Sequence, residues 1–159
     1  MKKFWIDIIV AAMPLAACKR QESQPSVTSA APSVVPTPTR SFSPDSVARG
    51  GALFQQDCAQ CHGPQAQGHP DWRTPSHGLF TAAPPLNGTG NDWKRSRQQL
   101  IDTIKNGARL SDGTPVMPAW KDRLNDGQIA DIMAWFQSLW PPEVYDKWSR
   151  QQAEKPPQG

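Results

Sequence analysis

Between residues 125 and 140 the apolar positions Ile129, Ile132, Met133, Phe136, Leu139 and Trp140 recur every three or four residues and form one continuous stripe. That spacing predicts a helix with one buried face. Asn125, with Gln128 three residues on, supplies its start signal, and Pro141-Pro142 end it. A second helix is predicted after Ser96, whose capping-box partner Gln99 leads into Leu100, Ile101 and Ile104 before Gly107 stops the run. A third, earliest in the folded part, begins at Ser43-Pro44-Asp45 with a Ser cap, a Pro at the first helical position and an acid in the first turn. Val47, Gly50 or Gly51, Phe54, Cys58 and Cys61 follow at helical spacing.

Between these helices, residues 63–95 and 108–124 are rich in Gly, Pro and Asn and show neither helical nor strand periodicity. No strand is predicted. The pattern is therefore that of an all-α domain with three main helices and long loops. A structureless loop above 30 residues is uncommon in a compact domain unless a ligand gives it something to wrap.

The chain ends depart from the helical pattern. Lys2 and Lys3 followed by the apolar stretch Phe4 to Met13 read as an export leader, too short to span a membrane, with Asp7 as a departure inside it. Leu15-Ala16-Ala17 before Cys18 resembles the bacterial lipoprotein signal, in which that cysteine is lipidated and becomes the first residue. Ordinary cleavage near Ala17, leaving Cys18 as a free thiol, is the alternative. Residues 18–42, built of Ser, Thr, Pro, Ala, Gln and Val, are too poor in large apolar side chains to fold and read as an extended tether. The divisions expected are thus a leader at 1–17, a tether at 18–42, a folded domain at 43–142 and a tail at 143–159. In that tail Val144, Tyr145 and Trp148 mark a short helix that either packs on the domain or docks a partner.

Charge and composition narrow the function classes. The 17 prolines fit a chain of 159 residues that is only partly folded into one domain. The formal charge of +3 falls to +2 once Lys2, Lys3 and Asp7 leave with the leader, which argues against nucleic acid as the main partner. With Cys18 assigned to the leader and Cys58 and Cys61 forming one tight pair, no disulfide framework remains. The core must come from apolar side chains or from a bound group.

Cys58-Ala59-Gln60-Cys61-His62 is the attachment pattern for c-type haem. Two thiols separated by two residues add across the haem vinyl groups, and the adjacent imidazole is delivered to the iron. A structural zinc site needs four ligands and an iron–sulfur cluster more thiolates than are present, while a thioredoxin-like pair belongs in an α/β setting. For the second axial position the chain offers Met117, Met133, His69 and His77. Met117 is preferred because the prolines of Thr114-Pro115-Val116-Met117-Pro118 restrict its loop before ligation. Met133 falls on the apolar stripe and reads as core, and His69, seven residues past His62, would have to reach round the porphyrin edge. His77 is the remaining rival, although a solvated loop histidine is the more ordinary reading of both imidazoles. Trp93 and Arg109 are candidate donors to the haem propionates, set against plain helix-start packing for the first and a solvated charge for the second.

Residues from about 44 to 140 resemble the class I cytochrome c family. The resemblance rests on the haem motif, on Gly50 and Phe54 four residues apart on the first helix, and on Ile132 and Trp135 three apart on the last. It rests also on Pro84-x-Leu86 and on the Met117-Pro118 pair. It implies a cytochrome c-like all-α fold around one covalent haem c, with His62 and Met117 as axial ligands. In such a fold the Pro84 carbonyl accepts the Nδ1 hydrogen of His62, although Pro85 offers a register one residue later. The implied role is single-electron transfer rather than catalysis, as a monomer on the periplasmic side of a bacterial membrane, lipid-anchored through Cys18 and serving other redox proteins. Lys94, Arg95, Arg97, Lys105, Lys121 and Arg123 are candidates to surround the haem edge and steer an acidic partner, or are simply a solvated surface. Two other classes stay open: a fixed haem subunit of a larger oxidoreductase, and a peroxidase-like or gas-binding haem protein with a labile sixth ligand.

Overall fold

The computed structural model describes residues 40–154. The expected leader, the lipidation candidate Cys18 and most of the expected tether lie outside the described residues. Five helices follow in order: α1 (Pro44–Asp57), α2 (Ala59–His62), α3 (Arg97–Asn106), α4 (Asp126–Ser138) and α5 (Pro142–Glu154). A 3-10 turn, Asp92–Lys94, precedes α3, and a two-stranded antiparallel ladder, β1 (Ala108–Arg109) with β2 (Pro115–Met117), lies between α3 and α4. The three expected helices are present, and the fold is cytochrome c-like and all-α apart from this ladder. Short strands escape a periodicity reading because two or three residues carry no period.

Helix boundaries follow the local chemistry. Ser96 with Gln99 and Asn125 with Gln128 each form a complete capping box. Ser43 stands at the cap position of α1, but its side chain makes no capping bond, so Pro44 at the first position carries that start. Pro142 opens α5, which makes the tail a helix of 13 residues.

The central contact is the crossing of α1 and α4. A Cβ on Gly50 would stand 1.9 Å from the Asp131 carbonyl oxygen, so the two backbones meet where a side chain cannot fit. One turn further along α1, Phe54 is fully buried and its ring lies 4.4 Å from that of Trp135. At the outer side of the crossing Asp131 receives Arg49 Nε at 2.7 Å and the Ser46 hydroxyl, which together hold its carboxyl below the usual range.

α5 packs on the end of α4. Trp148 is buried, its ring lies 5.6 Å from that of Trp140, and its indole nitrogen donates to the Arg95 carbonyl at 2.8 Å. The order extends upstream of the expected tether boundary at 42. Arg40 donates to the Trp140 carbonyl at 2.6 Å and to that of Gln137, and lies over the Tyr145 ring, which Phe42 meets edge-on. Among the described residues no helix is long and apolar enough to cross a membrane.

Two substitutions test this packing in the full-length haem-loaded protein. Helix propensity alone would make Gly50→Ala stabilising by about 1 kcal/mol. The backbone crossing reverses the sign, and a loss of about 1–3 kcal/mol or more is expected from the urea midpoint. Trp148→Ala removes a buried ring and its hydrogen bond, and a loss of about 3–5 kcal/mol is expected in the same measurement.

Candidate functional site

Cys58 caps the end of α1, with its N–H on the Phe54 carbonyl at 2.9 Å, and α2 continues from it as a single turn. His62 N–H returns to the Cys58 carbonyl at 3.0 Å, so Cys58, Cys61 and His62 stand at helical positions one turn apart and share one face. Gly63, at φ 76°, ends the turn immediately after the histidine. All three residues line a cavity of about 740 Å³.

The His62 ring is 8% exposed, and its Nδ1 lies 2.9 Å from the Pro84 carbonyl oxygen. A carbonyl only accepts, so the ring hydrogen sits on Nδ1 and the Nε2 lone pair is left free for a metal. Burial lowers the imidazole pKa, against the opposing pull of the Pro84 bond, and so favours the neutral, ligating form. The acceptor is Pro84 rather than Pro85. Its segment is tied down by Leu86 N–H to the Ala66 carbonyl at 2.8 Å and by Trp140 Nε1 to the Leu86 carbonyl at 2.8 Å. Burial also pushes the Cys58 thiol up to about 11, with Asp57 and Cys61 adding to the rise. Such a thiol stays protonated at neutral pH, unlike the thiolate of a dithiol redox centre.

Met117 ends β2 and lines the same cavity together with Val116 and Pro118. β2 is held by its pairing with β1, which follows directly on Gly107 at φ 73°. A Cβ on that glycine would stand 2.4 Å from the Met117 carbonyl oxygen. Met133 is fully buried in the core and does not line the cavity, nor do His69 and His77. His69 instead uses Nδ1 to accept the Asp71 amide at 3.1 Å.

The remaining wall is mostly apolar: Leu86, Leu100, Ile104, Trp120 and Phe136. The two sulfurs at this spacing, the free imidazole nitrogen, the thioether of Met117 and an apolar chamber are the donor set and shape that a covalent haem requires, so the residues fit the group. The structure does not bring Trp93 or Arg109 to this wall. Trp93 packs on the core with Lys147 Nζ 4.5 Å and Lys94 Nζ 5.5 Å from its ring centre, and Arg109 Nη1 donates to the Gly113 carbonyl at 2.9 Å inside the β1–β2 turn. The cationic side chains on the wall are Arg73 and Arg95, and of the six basic residues proposed to surround the edge only Arg95 lines it. Arg73, with Trp72, and the buried Asp92 were missed by sequence reasoning. They sit in the aperiodic loop, where no spacing marks a residue as facing inward.

The family model described as "Cytochrome C oxidase, cbb3-type, subunit III" matches residues 45–136. A cbb3-type cytochrome c oxidase subunit CcoP of Azospirillum brasilense is 36% identical over 93 residues, 57% of this chain and 28% of that protein. The cbb3-type oxidase subunit FixP of a Bradyrhizobium species is 33% identical over 94 residues, 58% of this chain and 27% of that protein. A cytochrome c-553-like protein of a Synechocystis species is 31% identical over 91 residues, 57% of this chain and 67% of that protein. The chain thus spans less than a third of the length of these oxidase subunits. With more than half of its length matched, the chain belongs to this cytochrome c family, and its folded part is a class I c-type cytochrome domain, of the kind that binds haem c covalently.

Proposed function

We propose that the protein is a single-electron carrier holding one haem c, exported to the periplasmic side of a bacterial membrane and anchored there by a lipid on Cys18. Cys58 and Cys61 supply the thioether links, His62 the proximal ligand through Nε2, and Met117 the distal one. The bond from His62 Nδ1 to the Pro84 carbonyl carries this reading, because it sets the tautomer that axial ligation needs. Support for Met117 comes from its position on the cavity wall, which Met133, His69 and His77 do not share. A haem held by His62 and Met117 would supply one-electron chemistry, and a thioether and an imidazole as its ligands would favour the reduced state and raise the potential.

The protein's own contribution is to hold both ligands on braced segments. α2 is fixed to α1 and to the Pro84 carbonyl, and Met117 to the β ladder, so neither side chain needs to move between oxidation states. With both axial positions filled by side chains there is no place for a substrate on the metal, which favours electron transfer over catalysis. The second reading, a haem-bearing subunit fixed in a larger oxidoreductase, is favoured by the names of the oxidase relatives. Retention of this chain in a larger complex through purification from its native membrane would select it.

The absorption spectrum of the exported protein tests the site. A c-type haem spectrum is expected, with a weak far-red sulfur-to-iron band in the oxidised form. Met117→Ala should abolish that band and convert a reduced protein that binds carbon monoxide poorly into one that binds it stoichiometrically; persistence of the band would move the ligand elsewhere. Mass spectrometry of the mature N-terminus is expected to find diacylglycerol on Cys18, and an unmodified thiol there would remove the anchor.

A further inference from the structure

Two carboxyl groups stand on the cavity wall, and they are held differently. Asp57, at the end of α1, receives Arg123 Nη2 at 3.0 Å, so its charge is paired. Asp92, in the 3-10 turn, is 4% exposed, and both of its oxygens are buried without a hydrogen-bond partner. The Trp140 indole faces Asp92, but its hydrogen goes to the Leu86 carbonyl at 2.8 Å, and the amides of Gly88 and Trp93 point to the carboxyl without closing a bond.

Among the described residues no charged group is paired with this carboxyl. In the same turn Lys94 leans over the Trp93 ring, and Arg95 follows on the cavity wall. From α5, Lys147 also rests on Trp93. Arg40, against the end of α4, is engaged by the carbonyls of Gln137 and Trp140. α3 turns Leu100, Thr103 and Ile104 to the cavity and α4 turns Phe136, while the other ionisable groups on the wall are Arg73, the paired Asp57, the two thiols and the buried His62. Among the described residues none of these forms an ion pair with Asp92. Burial disfavours the charged form and pushes this carboxyl up to about 6, against the opposing pull of the Trp93, Gly88 and Asp92 amides and the Trp140 indole.

We infer that Asp92 is the proton-coupled group of the electron-transfer site: its carboxylate takes a proton from solvent when the haem in the adjoining cavity gains an electron, and returns it on oxidation. The inference rests on the haem reading of the cavity. The electron comes from a one-electron reductant, a redox partner in the cell or ascorbate in the cuvette, and the proton from water. One O–H bond forms at Asp92, and no other covalent bond changes. An added electron makes the cavity more negative by one charge, which disfavours the carboxylate beside it in a low-dielectric wall. Linkage then requires the converse, so that deprotonating Asp92 disfavours reduction.

The test is a potentiometric titration of the full-length haem-loaded protein and of Asp92→Asn across pH 5 to 9. Below the carboxyl pKa of the oxidised form both oxidation states are protonated and the potential is flat. Above it the potential falls, by at most about 59 mV per pH unit, a tenfold change in the reduction equilibrium per unit. It flattens again once the reduced form also loses its proton. Asp92→Asn is expected to abolish the slope in this window while keeping the haem spectrum. An unchanged slope in that variant, or a flat wild-type profile, overturns the inference and leaves the haem reading intact, whereas a colourless protein overturns both. The wild type gives an independent check that does not depend on the variant folding. Its reduced-minus-oxidised infrared spectrum should gain a protonated-carboxyl band that shifts on labelling aspartate with carbon-13. A band that ignores the label belongs to the haem propionates and overturns the assignment to Asp92.

Discussion

The α1–α4 crossing at Gly50 is the constraint on which the rest depends. Because backbone meets backbone there, the path of α1 is fixed relative to α4, and Phe54 and then Cys58 fall at set distances beyond the contact. α2 inherits that placement through the hydrogen bonds at Cys58, so the thiol pair and His62 are aimed by a helix contact two turns away. The chamber exists because the remaining apolar faces line it instead of meeting one another. A domain of this size with a chamber in its middle forgoes part of the burial that would otherwise hold it together. A large apolar group fastened inside restores that burial, which is a physical reason for a covalent link in so small a fold.

Much of this was legible in the sequence because it is local. Capping boxes and proline and glycine stops each act within a few residues, and the structure keeps them; the 129–140 stripe is buried except at Leu139, which lies just past the end of α4 and is 41% exposed. The CxxCH motif is equally local, since one helical turn is enough to set two sulfurs and an imidazole on one face. Met117 was marked by its flanking prolines as well as by the family resemblance, whereas Pro84 was reachable only through the resemblance, because its partner lies 22 residues away.

What the sequence did not reveal is decided by tertiary context. Trp93 and Arg109 have the right chemistry to meet anionic groups, but α5 brings Lys147 onto Trp93, and the tight β1–β2 turn claims Arg109. Asp92 looks like a solvated loop acid until the turn that carries it is packed against the rest of the chain. The residue that follows this turn, Arg95, has its carbonyl held by the Trp148 indole, a contact between residues 53 apart. No short window could have anticipated it.

That single indole contact has a consequence for biogenesis. A polypeptide synthesised N-terminus first presents both thiols well before α5. Among the described helices, the one whose indole reaches the Arg95 carbonyl is the last to be made. Its docking beside the Asp92–Lys94 turn therefore comes after the two thiols and the imidazole have already left the ribosome.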